Sequence, residues 1–221
     1  MSKQYTISLT PKHSYSIHDF IFSSCNETLA NLLDGLESWG TQQYPGIVLI
    51  YGPEKSGKTH FAYLVAEKFG GIILPPDTNI ELLELYHNQL FILEDIDRIW
   101  EEESLFHIFN YLVQNRKSIL ITSRDNKEFS LPDLSSRIGS LDVRIIKDPD
   151  DNMVSCLLRK YISCRSINVS EEVMIFIINR IERKFSTIFS VVDVIDRLSL
   201  EQKRNITVPF LNSLKLFWCE E

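Results

Sequence analysis

Ile47-Val48-Leu49-Ile50-Tyr51-Gly52-Pro53-Glu54-Lys55-Ser56-Gly57-Lys58-Thr59 is an apolar run that ends in a loop of the pattern G-x-x-x-x-G-K-[ST]. The five β-branched and apolar residues read as a buried strand, and the residues after Thr59 take a helical period. A glycine-rich turn between such a strand and such a helix is a phosphate loop. Its backbone amides can wrap a β-phosphate, Lys58 brings charge to the β- and γ-phosphates, and the Thr59 hydroxyl can ligate Mg²⁺. Glycine at Gly57 lets the backbone approach closely. Gly52, Pro53, Ser56, Gly57, Lys58, Thr59 and the adjoining His60 are therefore the candidate cofactor contacts.

Outward from the loop, short apolar runs alternate with stretches of helical period, the pattern of a parallel sheet covered by helices. Candidate strands are Ile47 to Tyr51, Gly71 to Leu74, Leu90 to Leu93, Ile119 to Thr122 and Val143 to Ile146, expected to be buried on both faces. The fold class is α/β, a five-stranded parallel sheet with a phosphate loop. Leu90-Phe91-Ile92-Leu93-Glu94-Asp95 ends a strand in two acids, where carboxylates anchor a magnesium shell and polarise water. Thr59, Glu94 and Asp95 are the candidate Mg²⁺ residues, and Glu94 and Asp95 the candidate catalytic acids. Thr122-Ser123-Arg124 closes the fourth strand, and Ser123 is the candidate γ-phosphate contact there. Arg137 precedes the fifth strand, a position suited to a subunit edge.

After Pro149 the strand signals stop. Val154, Leu157, Leu158 and Tyr161, then Ile188, Val191, Val192, Ile195 and Leu198, form helical stripes, expected to be the core of a small helical domain. Ser170-Glu171-Glu172 reads as an N-cap with an acidic first turn. The division is thus 1–19, a polar flexible arm; 20–148, the nucleotide-binding core; and 149–221, a helical lid.

The 221 residues carry a formal net charge of -7, so a general attraction to DNA phosphates is excluded and contact with DNA is expected only through a partner. Cys25, Cys156, Cys164 and Cys219 lack C-x-x-C spacing and read as reduced thiols, in keeping with a cytoplasmic protein. The five histidines lack the spacing of a structural metal site. No apolar run approaches the ~20 residues that cross a bilayer, and Met1 to Thr6 lack the apolar centre of a signal peptide, so no membrane partner is expected.

Several segments together resemble the Hda family of DnaA-related AAA+ proteins over nearly the whole chain. Phe20-Ile21-Phe22-Ser23-Ser24-Cys25-Asn26 resembles the segment leading into the nucleotide pocket of DnaA-like proteins. Leu131-Pro132-Asp133-Leu134-Ser135-Ser136-Arg137 resembles the family's L-P-D-L-x-S-R, and Asn205-Ile206-Thr207-Val208-Pro209-Phe210 its closing L-T-I-P-F. Glu94-Asp95-Ile96-Asp97-Arg98 looks like the E-D-x-D-R of some members. The resemblance implies an AAA+ core with a helical lid, bound ADP or ATP, and two partners: the initiator DnaA and the DNA-loaded sliding clamp (β) of the polymerase. It implies that the family lowers initiation by stimulating hydrolysis of DnaA-bound ATP, with Arg137 as the arginine finger in trans. Self-association is left open.

Gln4-Tyr5-Thr6-Ile7-Ser8-Leu9 resembles the family's clamp-binding hexapeptide, with Gln4, Ile7 and Leu9 as its contacts and Tyr5 in place of a leucine. The chain departs from the pattern in two other places. Glu94 stands where AAA+ proteins usually carry Asp; one extra methylene shifts a carboxylate by about 1 Å, and such a misplacement can cost ~100-fold, so intrinsic hydrolysis is expected to be slow. Ser186 stands where DnaA-like lids present an arginine, with Arg183 and Lys184 nearby. Two other functions compete: an adaptor for DnaA in which Arg137 is dispensable, and a free-standing ATPase such as a helicase loader or small-molecule kinase.

Overall fold

The computed structural model describes residues 15–35, 46–125 and 129–214. Five parallel strands, β1 (Ile47–Tyr51), β2 (Ile72–Ile73), β3 (Leu90–Leu93), β4 (Ser118–Ser123) and β5 (Asp142–Ile145), form one sheet in the order β2-β3-β4-β1-β5. The register pairs Leu49 with Ile121 on one side of β1 and with Val143 on the other. Parallel register sends every strand's C-terminal end to one edge. Ligands of open α/β sheets sit at that edge, where the strand order reverses.

The apolar residues alternate by face. Val48, Ile50, Leu90, Ile92 and Leu120 pack with Phe61, Val65 and Leu29 on one side. On the other, Leu49, Phe91, Leu93, Ile119 and Ile121 pack with Leu105, Phe109 and Leu134. The first set lies beneath α1 (Glu27–Gly35) and α2 (Lys58–Phe69); α3 (Ile80–Glu84), α4 (Glu102–Gln114) and α5 (Pro132–Gly139) contribute to the second. Continuous burial explains why β3 and the Ile119 to Ile121 centre of β4 are apolar.

β5 departs from the expected burial on both faces. It is the sheet edge, partly exposed, and Asp142 and Arg144 form a 2.6 Å ion pair along it. Edge placement, which composition does not reveal, accounts for the charges. β2 is likewise shorter than the expected Gly71 to Leu74.

Beyond the sheet, α6 (Asp151–Cys164), α7 (Glu171–Arg180), α8 (Phe185–Gln202) and α9 (Val208–Ser213) build a separate apolar cluster around Val154, Leu158, Ile177, Ile188, Val192 and Phe210. Ser170 accepts from the Val173 amide, the expected cap of α7. Leu157 and Tyr161 of the α6 stripe are only partly buried, because they face a cleft towards the sheet domain.

Asp150 joins the two units. It caps α6 through the Met153 amide at 2.7 Å and accepts from the Ser24 hydroxyl and the Cys25 amide. Burial pushes its carboxyl upward, but these hydrogen bonds and one from Ser23 outweigh that and hold it below its ordinary range. Residues 15–19, assigned to the flexible arm from their polarity, have tertiary contacts. Tyr15 stacks on Tyr63 with 4.2 Å between ring centroids, and Ile17–Asp19 form a 3₁₀ turn capped by Ser16. Aromatic stacking, invisible in local periodicity, fixes them. Gln4, Ile7, Leu9 and Cys219 lie outside the described residues.

Candidate nucleotide-binding site

The phosphate loop turns sharply from β1 into α2. Lys55 and Gly57 both take positive φ, 63° and 96°, and Gly57 is the residue before the first turn of α2. Positive φ costs an L-residue about 1–2 kcal/mol, so glycine relieves the loop where it enters the helix. A Cβ at Gly52 would lie 2.8 Å from both Ile146 Cβ and Ser56 Oγ. Only glycine therefore lets the loop backbone pack this closely against Ile146.

Lys58 is buried and its ammonium donates to the Gly52 and Pro53 carbonyls at 2.7 and 2.9 Å. Burial pulls its pKa down; Asp95 counters this and Arg124 adds to it. A buried ammonium in a loop of inward-turned backbone is poised for an anion. Ser56 Oγ is buried with no hydrogen-bond partner, as is one carboxylate oxygen of Glu94. Orphaned polar atoms of this kind fit a site completed by phosphate and a hydrated cation.

Glu94 and Asp95 follow β3 directly. The Asp95 amide donates to Thr122 Oγ1 at 2.9 Å and the Ile96 amide to the Thr122 carbonyl at 3.0 Å, so β4 fixes the acids' backbone. Trp100 Nε1 donates to the Glu94 carbonyl at 2.9 Å. Burial raises the Glu94 carboxyl above its ordinary range, Asp95 adds to that, and the Thr59 hydroxyl and Lys58 offset part of it. Thr59 and Glu94 thus meet where Mg²⁺ would sit between loop and acids.

The cleft has two ends. One is a pocket of about 370 Å³ between sheet domain and lid, walled by Phe20, Ile21, Met153, Leu157, Phe185 and Phe189. An apolar pocket of this size suits a nucleobase. The other end is lined by Ser56, Lys58, Thr59, Asp95 and Arg124. Asn26, buried, shapes the first wall by donating to the Ile21 carbonyl and accepting from the Ser23 amide. His60 lines the same pocket, edge-on to Phe20, with Nε2 3.1 Å from the Ser16 carbonyl.

Ser56, Gly57, Lys58, Thr59, His60 and Asp95 line this cleft, whereas Gly52 and Pro53 act through the carbonyls that hold Lys58, and Glu94 lies behind the lining, bonded to Thr59. Ser123 does not face it in the same way: it is buried and its hydroxyl donates to the Asp125 carbonyl, whereas the next residue, Arg124, lines the phosphate end. Neither basic residue beside Ser186 lines the cleft. Arg183 is held by Asp151 and by the Ile178 and Ile181 carbonyls, and Lys184 pairs with Glu182. Arg137 is remote in a different sense. It is exposed on the last turn of α5, beside the edge strand, with its guanidinium carbon 6.0 Å from the Phe106 ring centroid.

Residues 150–214 match the family model described as "Hda, lid domain". The sheet domain and lid together superpose on the replication initiator DnaA bound to AMPPCP and single-stranded DNA, with a TM-score of 0.66 and 22% identity, covering 89% of this chain and 69% of that one. The chain thus shares the fold of that initiator structure, and its lid matches the Hda lid-domain model. Domain III of the Thermotoga maritima replication initiation protein DnaA gives a TM-score of 0.67 at 18% identity, covering 88% of this chain and 92% of that domain. An uncharacterised Haemophilus influenzae protein is 27% identical over 203 residues, 83% of this chain and 87% of its own length. The five parallel strands and the helical lid are those expected from the sequence pattern, and together they make the AAA+ fold that the resemblance implied.

The pocket walls from the lid, Met153, Leu157, Tyr161 and Phe189, escaped the sequence reading because their helical spacing is indistinguishable from that of core residues. From Thr122-Ser123-Arg124 the sequence reading chose Ser123 rather than Arg124, because a strand end reveals no orientation.

Proposed function

We propose that this chain is a negative regulator of chromosomal replication initiation, holding nucleotide in the cleft and acting on the initiator DnaA through Arg137 while bound to the DNA-loaded sliding clamp. The observation that carries the proposal is the position of Arg137: exposed on the last turn of α5, which leads into the edge strand, and not among the residues lining its own chain's cleft, in a chain whose lid matches the Hda model. A guanidinium so placed is free to enter a neighbour's site. An arginine supplied in trans stabilises charge developing on the phosphoryl oxygens and can accelerate hydrolysis by about 10³ to 10⁵.

In the chain's own cleft Lys58 and the loop amides would hold the phosphates of ADP or ATP, and Thr59, Glu94 and Asp95 the Mg²⁺ shell. Bound Mg²⁺ would neutralise phosphate charge. Glu94 stands where such sites usually carry Asp, and its extra methylene displaces the carboxylate by about 1 Å, which slows hydrolysis here. The nucleotide thus serves mainly to order sheet domain against lid, while the partner's nucleotide undergoes reaction. The net charge of -7 supports contact with DNA through the clamp rather than directly.

The test follows hydrolysis of labelled ATP preloaded on DnaA. Expected is acceleration only with this protein and clamp loaded on DNA together, and loss of the clamp requirement's benefit when Gln4, Ile7 and Leu9 are replaced by alanine with nucleotide affinity unchanged. Unaltered DnaA-bound ATP in the full mixture would sink the reading. Brisk turnover by the protein alone would favour the free-standing ATPase instead.

A further inference from the structure

Exposed apolar side chains gather at one place away from the cleft. Ile80, Leu82, Leu85 and Tyr86, on α3 and the turn after it, are open to solvent, Leu82 at 45% and Leu85 at 71%. The other large apolar residues exposed among the described residues, such as Ile99, Ile175 and Leu200, stand one by one along the chain. Single ones are ordinary on a surface, whereas four within the seven positions from Ile80 to Tyr86 make a patch. The stretch is fixed at both ends. Asn79 caps α3 by accepting from the Leu82 amide at 2.9 Å, the Thr78 hydroxyl donates to the Pro75 carbonyl at 2.6 Å, and Asn88 donates to the Gly70 carbonyl at 2.7 Å. Leu83 turns inward to the core that holds Phe91, and Tyr86 lies edge-on to the Phe91 ring. The outward apolar residues are thus held as a ledge, which lowers the ordering cost of binding.

Charge selects the occupant. Asp77, Glu81 and Glu84 are exposed in the same stretch, and the sequence from Asp77 to Leu93 contains no lysine or arginine. Lys117 is close, but its ammonium donates to the Asn88 carbonyl at 3.0 Å. These acids repel nucleic acid and an anionic membrane, and across a two-fold axis they would repel the same acids of a second copy. They attract lysine and arginine. An extended peptide finds little to pair with, since β2, the edge strand that leads into the stretch, is only Ile72–Ile73 and two prolines follow at Pro75 and Pro76. A helix that brings its own backbone hydrogen bonds is the form that fits.

We propose that the α3 ledge is a docking surface for a basic amphipathic helix of a partner protein, whose apolar face lies on Ile80, Leu82, Leu85 and Tyr86 while its lysines or arginines meet Asp77, Glu81 and Glu84. The ledge belongs to the β2 end of the sheet, opposite β5 and Arg137, and none of its residues lines the cleft. A helix bound there leaves both the cleft and Arg137 free, so the surface stands whether or not the cleft holds nucleotide.

Calorimetry and amide hydrogen exchange on the full chain test this with two synthetic amphipathic peptides of about four helical turns, one with leucine on one face and lysine on the other, the second with glutamate in place of lysine. Expected is binding of the lysine peptide alone, with exchange slowed only in residues 77–88. Leu82→Ser combined with Leu85→Ser should weaken that binding about tenfold or more, and Glu81→Gln combined with Glu84→Gln about threefold to tenfold with a flatter salt dependence. All four side chains are exposed, so thermal unfolding should keep the wild-type midpoint, and Leu85→Ser alone replaces the leucine pair if that pair lowers it. Failure of the lysine peptide to bind, equal affinity for both peptides, exchange slowed elsewhere, or unchanged affinity in the leucine variants overturns the docking surface. A wild-type dimer in ultracentrifugation that Leu85→Ser dissociates overturns it as well, because a second copy then covers the ledge.

Discussion

Replacing Arg137 by alanine separates a residue's structural worth from its functional worth. Within its own chain the side chain is exposed, and its guanidinium carbon lies 6.0 Å from the Phe106 ring centroid. A cation over an aromatic face at that distance and exposure is worth about 0.5 kcal/mol. Its position in the last turn of α5 adds roughly 0.3–1 kcal/mol with the helix dipole, and alanine's better helix propensity returns a few tenths. The net loss is on the order of 1 kcal/mol, or about 2–4 °C in Tm for a chain of this size. Against that stands a trans contribution of about 10³ to 10⁵ to the partner's hydrolysis, roughly 4–7 kcal/mol of barrier. Thermal unfolding and nucleotide binding should therefore be nearly unchanged, while clamp-dependent hydrolysis of DnaA-bound ATP falls to the unstimulated rate. Arg137→Lys should recover little, because a lysine keeps the charge without the planar fork. If the alanine variant stimulates hydrolysis within about threefold of the wild type, the finger assignment is wrong and an adaptor role takes its place.

Two further variants test the cleft's construction. Asp150→Ala removes the cap of α6 and the tie to Ser24 and Cys25, and should cost about 1–2 kcal/mol at pH 7, read by thermal unfolding. Because the folded-state pKa of Asp150 is depressed, its stabilisation is complete above the unfolded value near ~3.9 and is lost as pH falls through the lower folded value; a difference between variant and wild type that persists undiminished at pH 2 would contradict this. Glu94→Gln should raise the melting temperature of the nucleotide-free protein at pH 8. The raised folded-state pKa of Glu94 makes its charged form a burden above that pKa, relieved as pH falls through it and absent below the unfolded value of ~4.3; a variant less stable than wild type at pH 8 would refute the burial argument. The same variant should weaken Mg²⁺-dependent nucleotide binding, since the amide cannot supply the missing negative charge.

Local signals decided much of this protein in one dimension. The run from Ile47 to Thr59 is strand, loop and helix in the order a phosphate site requires, and the apolar runs ending in Glu94 and in Ser123 are the strands on either side of the acids. Continuous apolarity, glycine at a positive-φ position and a serine cap before Glu171 each have one dominant local solution, so α/β class, lid and loop were readable before any fold was known. Tertiary structure decided what depends on which side of an element faces which neighbour. Leu157 and Tyr161 share a helical period with Val154 and Leu158 yet border the cleft, Asp142 and Arg144 are tolerated in a strand because it lies at the sheet edge, and Tyr15 to Asp19 are fixed by aromatic and polar contacts from α2 and α6. Most telling is the pair at the end of β4: from Thr122-Ser123-Arg124 the sequence reading chose Ser123, and only the pleat, which turns adjacent side chains to opposite faces, buried the hydroxyl and left the guanidinium beside the phosphate loop.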